Sequence, residues 1–131
     1  MAEPQFLTLD QVLEIHRAQL DHFGGQEGIR DQGALESAVA QPEAGFGDAH
    51  LHTYPFGMAA AYAFHLAENQ PFVDGNKQAA LDCALTFLEV NGISIEDPDM
   101  VLYQAMIDVG NKKLSKKGLE DLFQKLAGPN I

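Results

Sequence analysis

Between two apolar helical stretches the chain runs Gln70-Pro71-Phe72-Val73-Asp74-Gly75-Asn76-Lys77-Gln78. One acid, one glycine and several polar groups stand where a new helix begins. Backbone N–H groups at a helix N-terminus lack partners and carry partial positive charge, so a bound anion satisfies both. Gly75 permits close approach of the backbone. Asp74 suits a helix N-cap or an oxygen ligand for Mg²⁺, while Asn76 and Lys77 add donors and positive charge. The run therefore reads as a phosphate site at Gly75, Asn76 and Lys77 beside the Asp74 carboxylate. It contains no general base. The plain alternative is an inter-helix turn, which Asp-Gly and Gly-Asn pairs commonly make.

Helices on either side must hold these residues. Thr8-x-x-Gln11 is a capping box, followed by Val12, Ile15 and Leu20 at helical spacing and ended by Gly24-Gly25. Asp31 opens a shorter helix through Ala34, Leu35, Ala38 and Val39 that must stop before Pro42. Gly45 to Thr53 reads as a loop. Its His50 and His52 are spaced i, i+2 without a third metal ligand and are expected as an exposed pair. Phe56 to Ala67 is apolar or small at nearly every position, which predicts the buried core helix with His65 as a structural imidazole.

After the polar run, Ala79, Ala80, Cys83, Ala84, Phe87 and Leu88 keep the helical period up to Asn91-Gly92. Asp97-Pro98 supplies an N-cap and a first-turn proline for a helix through Val101, Leu102, Ala105, Met106 and Val109, ending near Gly110-Asn111. Ser115 caps a last helix with Leu119, Leu122, Phe123 and Leu126 inward, closed by Gly128-Pro129. Ile93-Ser94-Ile95 is the one segment with strand character. The fold class expected is all-α, a compact bundle of about six helices.

The 131 residues, 46% of them hydrophobic, match one domain spanning 1–131 that can bury a core without staples. With 8 basic and 19 acidic residues the net charge is −11. Such a charge disfavours nucleic acid and anionic membranes as direct partners and otherwise serves solubility. The lone Cys83 falls in an apolar run and reads as a small buried hydrophobe. No apolar stretch approaches the roughly 20 residues of a membrane span. Met1 to Asp10 has no charged start followed by an apolar core, so a cytoplasmic location is expected.

The central run resembles the signature of the Fic/Doc superfamily, His-Pro-Phe-x-Asp/Glu-Gly/Ala-Asn-Lys/Gly-Arg, and within it the Doc, or death-on-curing, toxin branch. Gly24-Gly25-x-x-Gly28-Ile29-Arg30-Asp31, Ala34-Leu35-Glu36-Ser37-Ala38 and Thr86-Phe87-Leu88 before Asn91-Gly92 also resemble Doc proteins, so the likeness covers nearly the full chain. Gln70 stands where the family has its histidine, and Gln78 where it has its arginine. The resemblance implies that Asp74 holds Mg²⁺, that Gly75, Asn76 and Lys77 form the anion turn, and that Phe72 anchors the loop. It further implies ATP as donor of a phosphate or AMP unit to a protein hydroxyl, elongation factor Tu being the target of the characterised toxin. An antitoxin that folds as a helix on the toxin surface is the implied partner.

In that chemistry the histidine removes the proton of the attacking hydroxyl, a contribution of roughly 10² to 10⁴ in rate that a carboxamide cannot make. Gln70 can only hold the hydroxyl by hydrogen bonding. Gln78 offers one neutral amide in place of a charged fork. Arg17 and Arg30, the only arginines, are distant in sequence, and neither they nor Lys112 and Lys113 are expected to substitute. Three readings follow: a Doc-type scaffold with disabled chemistry, a slow altered transferase in which Lys77 carries the phosphate charge, or a module that keeps only partner recognition.

Overall fold

The computed structural model describes residues 3–128. Pro129, part of the expected stop, lies outside them. Among the described residues the α-helices are α1 (Leu9–Phe23), α2 (Gln32–Ala40), α3 (Phe56–Asn69), α4 (Asn76–Val90), α5 (Val101–Gly110) and α6 (Lys116–Ala127). A 3-10 turn at Gln41–Glu43 and a small hairpin of β1 (Gly45–Phe46) and β2 (Ala49–His50) stand between α2 and α3. The all-α expectation holds.

Local chemistry starts several of these helices as expected. Thr8 accepts from the Gln11 N–H while the Gln11 side chain accepts from the Thr8 N–H, closing the capping box. Asp31 caps α2 through the Ala34 N–H, and Ser115 caps α6 through the Gly118 N–H. Val12, His16 and Leu20 are the buried stripe of α1, one turn apart.

α3 is the axis of the bundle. Phe56 to Ala63, Leu66 and Ala67 are buried, and the helix packs against α2, α4, α5 and α6. Its alanines let neighbouring helices approach closely, and Tyr62 is wholly buried with its hydroxyl accepting from the Leu7 N–H at 2.8 Å. Burial pushes that phenol's pKa up, and does the same to the thiol of buried Cys83. No helix among the described residues is long and apolar enough to cross a membrane.

Three sequence expectations change. The strand character lies at 45–50, not at Ile93-Ser94-Ile95. The hairpin has two pairs and both strands are exposed, so no alternation marks it, whereas buried Ile93 returns its N–H to Leu88 O at the end of α4. Asp97 is not the residue next to α5: its carboxylate reaches forward to the Val101 and Leu102 N–H groups at 2.8 and 3.0 Å. Pro98 lies in the intervening turn, closed by Met100 N–H to Asp97 O at 3.1 Å.

His52, expected in an exposed pair, is buried while His50 is exposed. His52 packs over α3 and shares a lysine with His65: Lys116 Nζ lies 3.0 Å from His52 Nε2 and 3.1 Å from His65 Nε2. Both rings accept from the ammonium and must be neutral to do so. Burial and then the Lys116 charge lower the pKa of His52, and burial, Lys116 and His52 lower that of His65 to about 4, against the opposing effect of Glu68.

Candidate functional site

The helical pattern breaks between α3 and α4, and two left-handed residues make the break. Gln70 caps α3 at φ 44°, ψ 56°. Gly75 precedes α4 at φ 76°, a conformation that suits a glycine, and a side chain there would meet His16 and Leu20. Between them Pro71 and Phe72 turn inward and are buried, while Val73 and Asp74 are exposed.

Three devices fix this loop. Asn76 folds back on Phe72, its Oδ1 accepting from the Phe72 N–H and its Nδ2 donating to the Phe72 carbonyl, each at 2.9 Å. His16 stacks on the Phe72 ring at 3.6 Å between centroids and donates from Nε2 to the Asp74 carbonyl at 2.8 Å. The segment after α1 pairs along the loop: Val73 N–H donates to Gly28 O, and the Arg30 and Asp31 N–H groups donate to Pro71 O. The Arg30 guanidinium closes the arrangement, donating from Nε to Gln70 O at 3.0 Å and from Nη2 to Asn69 O at 3.2 Å.

The result is a polar cup of about 270 Å³ lined by Ala67, Gln70, Val73, Asp74, Gly75, Asn76, Lys77 and Gln78. All six residues named from the sequence, Gln70, Asp74, Gly75, Asn76, Lys77 and Gln78, meet on its wall. Their individual roles differ from expectation in two cases. Asp74 is not the helix N-cap, because its Oδ1 accepts from the Gly75 N–H at 3.0 Å and its Oδ2 from the Gln26 N–H at 3.2 Å. The Asn76 side chain is committed to Phe72, so it offers no side-chain donor to the cup.

The start of α4 has open backbone donors. The N–H groups of Asn76, Lys77 and Gln78 make no hydrogen bond among the described residues, and no side chain caps the helix. Lys77 is the cation on the wall. Each Asp74 oxygen holds one N–H and keeps lone-pair capacity, which fits a hard cation that draws its remaining ligands from phosphate and water. Among the described residues no group of three or more His, Cys, Asp or Glu side chains forms a closed metal cage.

The sequence alone assigns no site role to His16 and leads to none being expected of Arg30. The signal for His16 was its place one turn from Val12 and from Leu20 in a buried stripe. Arg30, though remote in sequence, folds back onto the motif. Its charge goes to the carbonyls at the end of α3, so it secures the backbone at Gln70 and does not replace a phosphate clamp. Lys112 is likewise engaged, in an ion pair with Glu68.

A family model described as Fic/DOC family matches residues 6–88. The chain is similar to "Toxin Doc" of Mycolicibacterium smegmatis (strain ATCC 700084 / mc(2)155), 41% identical over 73 residues, and spans 56% of itself and 56% of that relative. It is also similar to "Protein kinase doc" of Escherichia phage P1, 27% identical over 123 residues, covering 93% of the chain and 95% of the relative.

Proposed function

The chain belongs to the Fic/DOC family, and from that premise we propose that it is a Doc-type toxin of a toxin–antitoxin pair with impaired transfer chemistry. The observation that carries the reading is the cup: three N–H groups without a partner among the described residues and Lys77 share its wall with an exposed carboxylate, while Gln70 and Gln78 hold the two positions where the family places its histidine and arginine. The donor is ATP. Lys77 and the N–H groups of residues 76–78 bind its phosphate oxygens by charge-assisted hydrogen bonds. Asp74 would hold Mg²⁺, which when bound supplies neutralisation of phosphate charge.

Gln70 can orient an acceptor hydroxyl but leaves its proton in place, since an amide has no appreciable basicity near neutral pH. Gln78 adds a neutral dipole where charge develops. Phosphoryl transfer is favoured over adenylyl transfer because the phage P1 relative is named a protein kinase. The target is a protein hydroxyl such as one on elongation factor Tu, and the cytoplasm, where ATP is held, is the compartment.

An antitoxin helix is the proposed partner. An exposed apolar trough of about 460 Å³ between α4 and α5, walled by Phe23, Leu81, Leu85, Ile95, Met100 and Tyr103, supports partner recognition as the retained activity.

The test is reversion. Gln70→His with Gln78→Arg, expressed under tight control, is expected to arrest bacterial growth and to label one host protein from γ-labelled ATP. The unaltered chain should bind Mg·ATP weakly by calorimetry and transfer nothing measurable. A double revertant that neither arrests growth nor labels a protein overturns the reading.

A further inference from the structure

Gly110 closes α5 with no left-handed φ, in a position where alanine is the better helix former. The backbone therefore does not require glycine there. What the missing side chain makes room for is Lys77. A Cβ on Gly110 would stand 2.8 Å from Lys77 Cε and 3.4 Å from its Nζ.

Lys77 leaves the first turn of α4 and lies across the end of α5. Its stem thus forms the partition between the polar cup and an apolar pocket lined by Leu81, Tyr103, Met106 and Ile107. Its ammonium rests beside the carbonyl end of α5, where the helix dipole favours a cation. A long flexible side chain is given one seat by a bare stretch of backbone.

We propose that Gly110 is a positioning residue for Lys77, holding the ammonium at the rim of the cup so that it meets a phosphate without first being ordered. This rests on the cup being the phosphate site. A methyl group at 110 would push the far end of the lysine aside while leaving the helix sound. Ordering a lysine side chain costs conformational entropy, so losing the seat weakens anion binding even though the charge remains.

The experiment uses the full chain and four forms: unaltered, Lys77→Met, Gly110→Ala and the double variant. Each is titrated with inorganic tripolyphosphate and with Mg·ATP by calorimetry, and each is melted thermally. Lys77→Met is expected to weaken tripolyphosphate binding roughly tenfold, as loss of one charged hydrogen bond does. Gly110→Ala should weaken it about three- to tenfold, with the double variant no weaker than Lys77→Met alone. The melting temperature of Gly110→Ala should not fall. In the unaltered chain a nuclear Overhauser contact between the Lys77 Hε and Gly110 Hα protons should be present, and it should vanish in Lys77→Met.

Unchanged binding by Gly110→Ala beside weakened binding by Lys77→Met overturns the role of Gly110 alone, as do losses that multiply in the double variant or an absent Overhauser contact. Unchanged binding by Lys77→Met overturns the phosphate reading of the cup and this proposal with it.

Discussion

Single side chains do more in this site by holding backbone than by facing the cup. His16 lies at 6% exposure between Phe72 and the Asp74 carbonyl, so its removal deletes a stack and orphans an acceptor. His16→Ala is expected to lower stability by about 2 kcal/mol in urea denaturation and to weaken Mg·ATP binding. A variant as stable as the unaltered chain would show the stack to be incidental. Asn76→Ala removes both partners of the Phe72 main chain and should cost about 1–3 kcal/mol. That result would separate Asn76 from Lys77, whose replacement by Met should leave stability within about 0.5 kcal/mol because the residue is exposed. Neither His16 nor the true duty of Asn76 was legible in the sequence. A hydrogen bond between residues 58 apart leaves no period, and an amide's partner is set by the fold around it.

The two helices flanking the loop present opposite electrical ends to one another. The carbonyl end of α3 is answered within the protein by the Arg30 guanidinium, whereas the N–H end of α4 is left open. This asymmetry underlies the anion preference proposed for the break. Arg30→Met should release the α3 terminus at a cost of about 1 kcal/mol and raise the Kd for Mg·ATP, measured by denaturation and calorimetry. An unchanged Kd would place Arg30 outside the support of the cup.

Apart from the start of α5, the helices were legible to within about two residues because Val12, Ile15 and Leu20, or Ala80, Ala84 and Leu88, recur at helical spacing, and because Thr8, Asp31 and Ser115 cap as their chemistry dictates. The hairpin at 45–50 was not, since two exposed pairs leave no alternation, and neither was the pairing of 28–31 with 71–73, which topology makes and no local pattern marks.

Over the whole molecule, two histidines give the pH response a defined component. The lowered pKa values of His52 and His65 mean that the folded state holds both rings neutral. Above the unfolded value of 6.5 this stabilisation is complete. As pH falls the unfolded chain takes up protons first, so stability declines from 6.5 towards the folded value of about 4 for His65. Because that ring is half-buried and screened by solvent, the loss should be on the order of 1 kcal/mol. His65→Gln should flatten the decline in denaturation curves taken between pH 7 and pH 5. A decline equally steep in the variant would assign it to His52 or to carboxylates elsewhere.

The pairing of Gly28, Arg30 and Asp31 with Pro71 and Val73 makes two remote stretches open or close as one. Amide hydrogens at Arg30, Asp31 and Val73 should therefore exchange with deuterium at a common opening free energy, and a ligand in the cup should slow all three equally. A protease that nicks the chain between α1 and α2 would then silence nucleotide binding without touching any residue that meets a phosphate.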